Sequence, residues 1–365
     1  MNPLVKIVEQ GQSIWLDLLD RQMMDSGKLQ SMIDDDALRG ITSNPAIFEK
    51  AISDSSDYDA DIATLSEKED DNEDIFFGLA VKDIQRATDF FKPVYEKTDG
   101  LDGYVSLEVS PFLALDTKGT VEQARELWKK VDRKNVMIKI PGTAEGLPAI
   151  RQCISEGINI NVTLLFGLPR YKEVTEAYLG GLEDRVKAGK SIDKVASVAS
   201  FFLSRIDVMV DPLLEEKGLD NLKGEVAIAS AKKAYQIYQD VFSSDRFNRL
   251  QDKGAKPQRV LWASTSVKDP SFKDTKYVEA LIGPETVNTL PMDTLDAFRD
   301  HGTVTNELTD NLEHSDKVLK KLEDNGIDVD KITQNLEDEG IDKFNKPFEK
   351  LLKGIEDQKQ KASSE

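Results

Sequence analysis

NVMIKIPGTAEG, residues 135–146, decides how the rest of the chain is read. Val136, Met137, Ile138 and Ile140 form a short apolar run closed by Pro141 and Gly142. That is the composition of a strand buried on both faces, and such strands belong to parallel sheets covered by helices. Lys139 interrupts the run. An ammonium is costly to desolvate, so the amine either snorkels past Ile140 and Pro141 to water or is placed to lose its proton. A lysine with a pKa of ~10.4 is neutral in roughly 0.04% of molecules at pH 7. Burial that lowers the pKa to ~7–8 makes the neutral amine about a tenth to a half of the population, which is what attack on a carbonyl requires.

Seven further stretches read as strands: 12–17 (QSIWLD), 38–44 (LRGITSN), 104–110 (YVSLEVS), 160–166 (INVTLLF), 194–200 (KVASVAS), 259–264 (RVLWAS) and 285–290 (ETVNTL). Helical patterns such as 81–97 and 120–134 lie between them. Alternation of this kind predicts an α/β protein with a parallel sheet, and eight strands favour a closed (β/α)8 barrel. Residues 211–257 read as a long helical crossover, and about 293–357 as a helical C-terminal extension with Leu308, Leu312, Leu319 and Leu322 at helical spacing. The acidic tract 65–74 reads as a solvated loop or helix end, and the tail DQKQKASSE is expected to fray. No Gly/Ser/Pro-rich linker divides the chain, so residues 1–365 are expected to form one domain.

A polar residue stands near the end of nearly every strand: Asp17, Asn44, Glu108, Lys139, Asn161 with Thr163, Ser200 and Ser264. Side-chain alternation puts Trp15 with Asp17, Met137 with Lys139, and Asn161 with Thr163 on common faces. Each has an ordinary explanation alone, such as a cap or turn for Asp17 and a rim position before Pro111 for Glu108. In a (β/α)8 barrel all these strand ends converge on one mouth, where active sites of that fold lie. Asp17, flanked by apolar residues in SIWLDLLD, is a candidate general acid or base. Asp20 is better read as an exposed partner of adjacent Arg21.

Composition narrows the function. A formal net charge of −19 opposes sequence-independent nucleic-acid binding. Cys153 is the sole cysteine, so no disulfide forms within the chain, and His301 and His314 are the sole histidines, which disfavours a histidine metal site. No apolar run approaches the ~20 residues of a membrane span, and the N-terminus lacks a signal-peptide pattern. A cytoplasmic protein is expected.

GITSNPAIFEKAI (40–52) and VMIKIPGTAEGLPAI (136–150) together resemble the two signatures of the transaldolases. The resemblance continues through SIWLD, SLEVSP, INVTLLF, SFFLSR (200–205) and LWASTSVKDP (261–270). It implies a (β/α)8 barrel that needs no cofactor and moves a dihydroxyacetone unit from sedoheptulose 7-phosphate to glyceraldehyde 3-phosphate. Lys139 would form the Schiff base and Asp17 would move the proton of the C4 hydroxyl. Glu108 and Thr163 would hold a water that shuttles protons. Asn44 and Asn161 would bind the dihydroxyacetone unit, with Ser200 nearby and Phe202 as an aromatic wall. Arg205 and Ser264 would bind phosphate. Ser266 stands where many relatives carry arginine, so Lys268 is the nearest replacement cation, though it also fits an exposed loop lysine. The expected partners are phosphorylated sugars, not nucleic acid or membrane, for a monomer or homodimer. One alternative is a fructose 6-phosphate aldolase-type lyase, against which Asp17 on the first strand argues. Another is a silent scaffold barrel, which predicts loss of a polar strand-end residue, and none is missing.

Overall fold

The computed structural model describes residues 2–362. Eight parallel strands close into a barrel in chain order: β1 (Gln12–Asp17), β2 (Gly40–Thr42), β3 (Tyr104–Glu108), β4 (Val136–Pro141), β5 (Ile160–Leu165), β6 (Ser197–Phe202), β7 (Arg259–Ala263) and β8 (Thr286–Leu290). β1 pairs with both β2 and β8, which completes the ring. Ile14, Leu16, Ile138, Ile140, Val162 and Phe201 alternate with the polar positions and are fully buried beneath the surrounding helices. Each such side chain contributes about 1.5–3 kcal/mol on burial.

Two glycines of the signature stretches are required by close approach. A Cβ on Gly40 would sit 2.7 Å from the Trp15 ring and 2.8 Å from the Tyr104 carbonyl, so the indole fits inside the barrel because Gly40 has no side chain. A Cβ on Gly146 would lie 2.0 Å from the Pro141 carbonyl. That tight turn is held by Thr143, whose Oγ1 donates to Ala114 O and accepts from Gly146 N. KIPGTAEG therefore both ends β4 and starts helix Gly146–Glu156.

The barrel interior is filled in polar layers. At its base Arg259 donates to Ser13 Oγ (2.8 Å) and Asp102 Oδ1 (2.9 Å), and Ser13 donates to Asp102 Oδ2 (2.8 Å). Above it Asn161 donates to Ser106 Oγ (3.0 Å) and accepts from Ser200 Oγ (2.7 Å). Satisfied hydrogen bonds of this kind are worth about 1 kcal/mol each net, and they fix where the side chains above them stand.

Several boundaries differ from those expected. β2 stops at Thr42 because Asn44 caps the next helix, its Oδ1 accepting from Ile47 N (3.0 Å) with Pro45 following. β3 stops at Glu108, since Pro111 opens a 3-10 turn. β6 runs 197–202, not 194–200: Ala196 N is taken by the Asn159 side chain (2.9 Å), while Phe201 and Phe202 continue the ladder to Trp262 and Ala263. Asp20 is a helix cap that accepts from Met23 N, and Arg21 pairs instead with Asp83 and Asp61.

The extension begins with helix Met292–His301 and ends in a 34-residue helix, Val329–Ala362. This last helix lies across the barrel mouth. Glu337 pairs with Arg170 (3.1 Å) on one side and Lys350 with Glu49 (2.6 Å) on the other, while Phe348 packs against Phe76 (5.4 Å) and Phe112 (5.2 Å). β5 accommodates it through a bulge: the register shifts between Val162 and Leu165, Leu164 takes φ 55°, and its side chain meets Gly340. The expected fraying from residue 357 is not found up to Ala362. Gln358 donates to Asp59 and Lys359 to Asp70 O, so the acidic tract receives the helix end. Residues 363–365 of that tail lie outside the described residues.

Candidate active site

The strand ends and the C-terminal helix enclose a cavity of ≈ 230 Å³. Of the residues singled out in the sequence, Asp17, Asn44, Lys139, Ser200, Phe202, Arg205, Ser264 and Lys268 line it. Asn161, Glu108 and Thr163 stand behind that wall. Asn161 is bonded to Ser200, and Glu108 is opposite Lys139 in the ladder. Thr163 lies on β5, the strand on the other side of β4.

Lys139 is 4% exposed. Its Nζ donates to Ser43 O (3.1 Å), lies 3.3 Å from Glu108 Oε2, and sits 5.8 Å from the centre of the Phe344 ring. Glu108 Oε1 and Thr163 Oγ1 are buried without a hydrogen-bond partner among the described residues, and Glu108 Oε2 has only the Lys139 amine, at 3.3 Å. These are groups whose burial is costly unless something bonds them. Burial pushes the Glu108 carboxyl up to about 7, against the attraction of Lys139, and the charge of Asp17 adds to the rise.

Asp17 keeps an open edge toward the cavity, yet the dense barrel wall around it raises its pKa above the usual carboxylate range. Lys139 and a hydrogen bond from Thr42 oppose that rise. Thr42 Oγ1 donates to Asp17 Oδ1 (2.7 Å) and lies 2.7 Å from Thr289 Oγ1. With Asp17 ionised, Thr289 is therefore the donor to Thr42, since a hydroxyl has one proton. Burial thus makes both acids near Lys139 hard to ionise.

The far side of the cavity is cationic. Arg205 is partly buried and makes no hydrogen bond or ion pair among the described residues. Burial holds its guanidinium below its ordinary pKa, with Glu339 opposing. Lys268 is exposed overall and donates to Ser266 Oγ (2.7 Å); partial desolvation against the cavity wall and then Arg205 lower its pKa. Ser264, with φ 53°, lies 2.9 Å from Ser204 through their hydroxyls. A non-glycine residue held in the left-handed region is a feature that clusters at functional sites.

Sequence reading missed several parts of this wall: Thr42, Thr289, the Ser43 carbonyl, and Lys343, Phe344 and Pro347 from the C-terminal helix. Thr42 lies within GITSNP and was within reach; the others depend on tertiary placement.

A family model described as Transaldolase/Fructose-6-phosphate aldolase matches residues 14–355. The chain is 50% identical to a transaldolase of Trichodesmium erythraeum, with 99% of this chain and 98% of that protein covered. It is 47% identical to a transaldolase of Saccharopolyspora erythraea, with 97% of each covered. To one of Thermobifida fusca it is 48% identical over 84% of each.

Proposed function

This chain belongs to the transaldolase/fructose-6-phosphate aldolase family and is an enzyme of the transaldolase kind, and from that premise we propose how its residues divide the reaction. Lys139 attacks the C2 carbonyl of a ketose phosphate, and the carbinolamine loses water to give a protonated imine. Glu108 and Thr163 hold the water that carries protons in that step, which would satisfy their unpartnered oxygens. Asp17 takes the proton of the C4 hydroxyl. The C3–C4 bond breaks, its electron pair moves into the imine to form an enamine, and the aldehyde leaves. With sedoheptulose 7-phosphate that product is erythrose 4-phosphate. The enamine then adds to glyceraldehyde 3-phosphate, Asp17 returns the proton, and hydrolysis frees fructose 6-phosphate.

Asn44, Asn161 and Ser200 bind the three-carbon unit against the Phe202 wall, and Arg205, Ser264 and Lys268 bind phosphate. The setting proposed is the cytoplasmic, non-oxidative pentose phosphate pathway. The observation that carries the reading is the buried Lys139 amine, 3.3 Å from Glu108 and on the wall of a cavity that Asp17 and Arg205 also line. The lyase alternative is not favoured, because these relatives are named transaldolases. Fructose 6-phosphate alone should release little dihydroxyacetone, and adding erythrose 4-phosphate should start turnover; rapid release without acceptor contradicts the transferase reading.

A pH dependence follows from Glu108. Dehydration needs its proton, so imine formation should slow as pH rises through about 7. Stopped-flow or quench trapping across pH 5.5–8.5 should show this inflection, read as a property of the coupled group of acids and amine. Glu108→Gln should remove it. An unchanged profile in that variant would assign the inflection elsewhere.

A further inference from the structure

Lys343 is the one cation of the cavity wall supplied by the C-terminal helix. It is exposed and donates to Glu339 Oε2 (2.8 Å), one helical turn earlier. Read alone, that is a solvated i, i+4 pair. Two observations say more. Glu339 is also near enough to Arg205 for their charges to attract without an ion pair between them, so the acid that holds Lys343 faces the partly buried guanidinium as well. Pro347 also lines the cavity, one turn beyond Lys343. A proline has no N–H, so it cannot donate to the Lys343 carbonyl as a helix residue normally would.

Charge counting gives the reason for a third cation. A phosphate monoester approaches a dianion at pH 7. On the cationic side of the cavity, away from Asp17 and Lys139, Arg205, Lys268 and Lys343 set against Glu339 leave two net positive charges; without Lys343 one is left. Ser266, between Ser264 and Lys268, adds no charge. We propose that Lys343 is a phosphate-binding residue of the active site, exchanging Glu339 for the substrate phosphate when a phosphosugar enters. The inference rests on the phosphosugar reading above. Exposed pairs of this spacing are weak, so the exchange costs little.

The test compares wild type with Lys343→Gln, Lys343→Arg, Glu339→Gln, Lys346→Gln and Arg205→Gln. It measures kcat and KM for fructose 6-phosphate with erythrose 4-phosphate, and binding of inorganic phosphate by calorimetry. Lys343→Gln should raise KM and the phosphate Kd by about 10–150-fold, the range of a charged hydrogen bond, with kcat within about threefold. Lys343→Arg should restore most of the loss. Glu339→Gln should shift both constants in the opposite direction, which a purely structural role for the helix would not do. Lys346, exposed on the same helix and outside the cavity wall, serves as control. If Lys343→Gln leaves both constants within about twofold while Arg205→Gln weakens both, this inference is wrong and the phosphosugar reading stands. If Arg205→Gln leaves phosphate binding intact as well, the phosphosugar reading itself fails.

Discussion

Lys139→Met should lower transfer by about 10⁴-fold or more, the order lost when a covalent nucleophile is removed. The prediction depends on no other amine taking its place. The other lysines of the cavity wall, Lys268 and Lys343, are both exposed and come from a loop and from the C-terminal helix. Methionine keeps an unbranched apolar stem on the strand face of Met137 and beside Phe344, so the barrel should still form, as circular dichroism would show. The substitution also strips Glu108 of the neighbour that lowers its pKa, so its folded-state pKa should rise beyond about 7. A carboxyl whose folded pKa lies above its unfolded value near 4.5 binds more protons folded than unfolded between those limits. Its contribution to stability is therefore complete below about 4.5 and is lost as pH rises through the folded pKa. The melting temperature of Lys139→Met should fall behind that of wild type more at pH 8.5 than at pH 5.5. A gap that narrows at high pH would contradict the placement of Glu108 beside the amine.

Asp17→Asn should separate the two halves of the reaction. Asparagine retains an oxygen able to accept from Thr42 Oγ1, so the local hydrogen bond survives, but it cannot take the C4 hydroxyl proton. Cleavage and transfer should slow by about 10²–10⁴-fold, the range for loss of a general base. Imine formation should remain measurable, because Lys139 and Glu108 are untouched. Rapid-quench reduction with fructose 6-phosphate should trap a six-carbon adduct in Asp17→Asn and mainly a three-carbon one in wild type. Equal loss of imine formation and cleavage would show that Asp17 acts on both steps and contradict the division of labour.

The strands were legible because each is a short apolar or β-branched run with punctuation at its ends, and the barrel followed from their alternation with helices. Lys139, Asp17 and Glu108 were legible only together: each has an ordinary explanation alone, but polar residues at the ends of so many strands converge on one mouth. Where the punctuation was weak, the reading slipped. KVASVASFF is one continuous stretch of small and apolar residues that supports more than one frame, so β6 begins three residues later than expected. Ser106 and Ser43 gave no signal, since a serine in or beside a strand is ordinary. Their parts, a hydroxyl under Asn161 and a carbonyl over Lys139, exist only once separate strands meet.

The C-terminal helix shows the limit most clearly. Phe344, Phe348, Leu351 and Ile355 recur at helical spacing and are all buried, so an apolar face could be read from the pattern. An apolar face does not state what it covers. The bulge at Leu164, which brings that strand end up to Gly340, leaves no mark in the hydrophobic pattern. Lys343 and Phe344 consequently entered the site only with the coordinates.

The central claim is that the carbon skeleton of the substrate becomes bound to Lys139. Borohydride reduction of the enzyme with fructose 6-phosphate, followed by peptide mass mapping, tests it most directly. The account predicts a three-carbon dihydroxyacetone-derived group on the peptide bearing Lys139, at that residue by fragmentation, and no adduct in Lys139→Met. An adduct on another lysine, or one that persists in Lys139→Met, would contradict it.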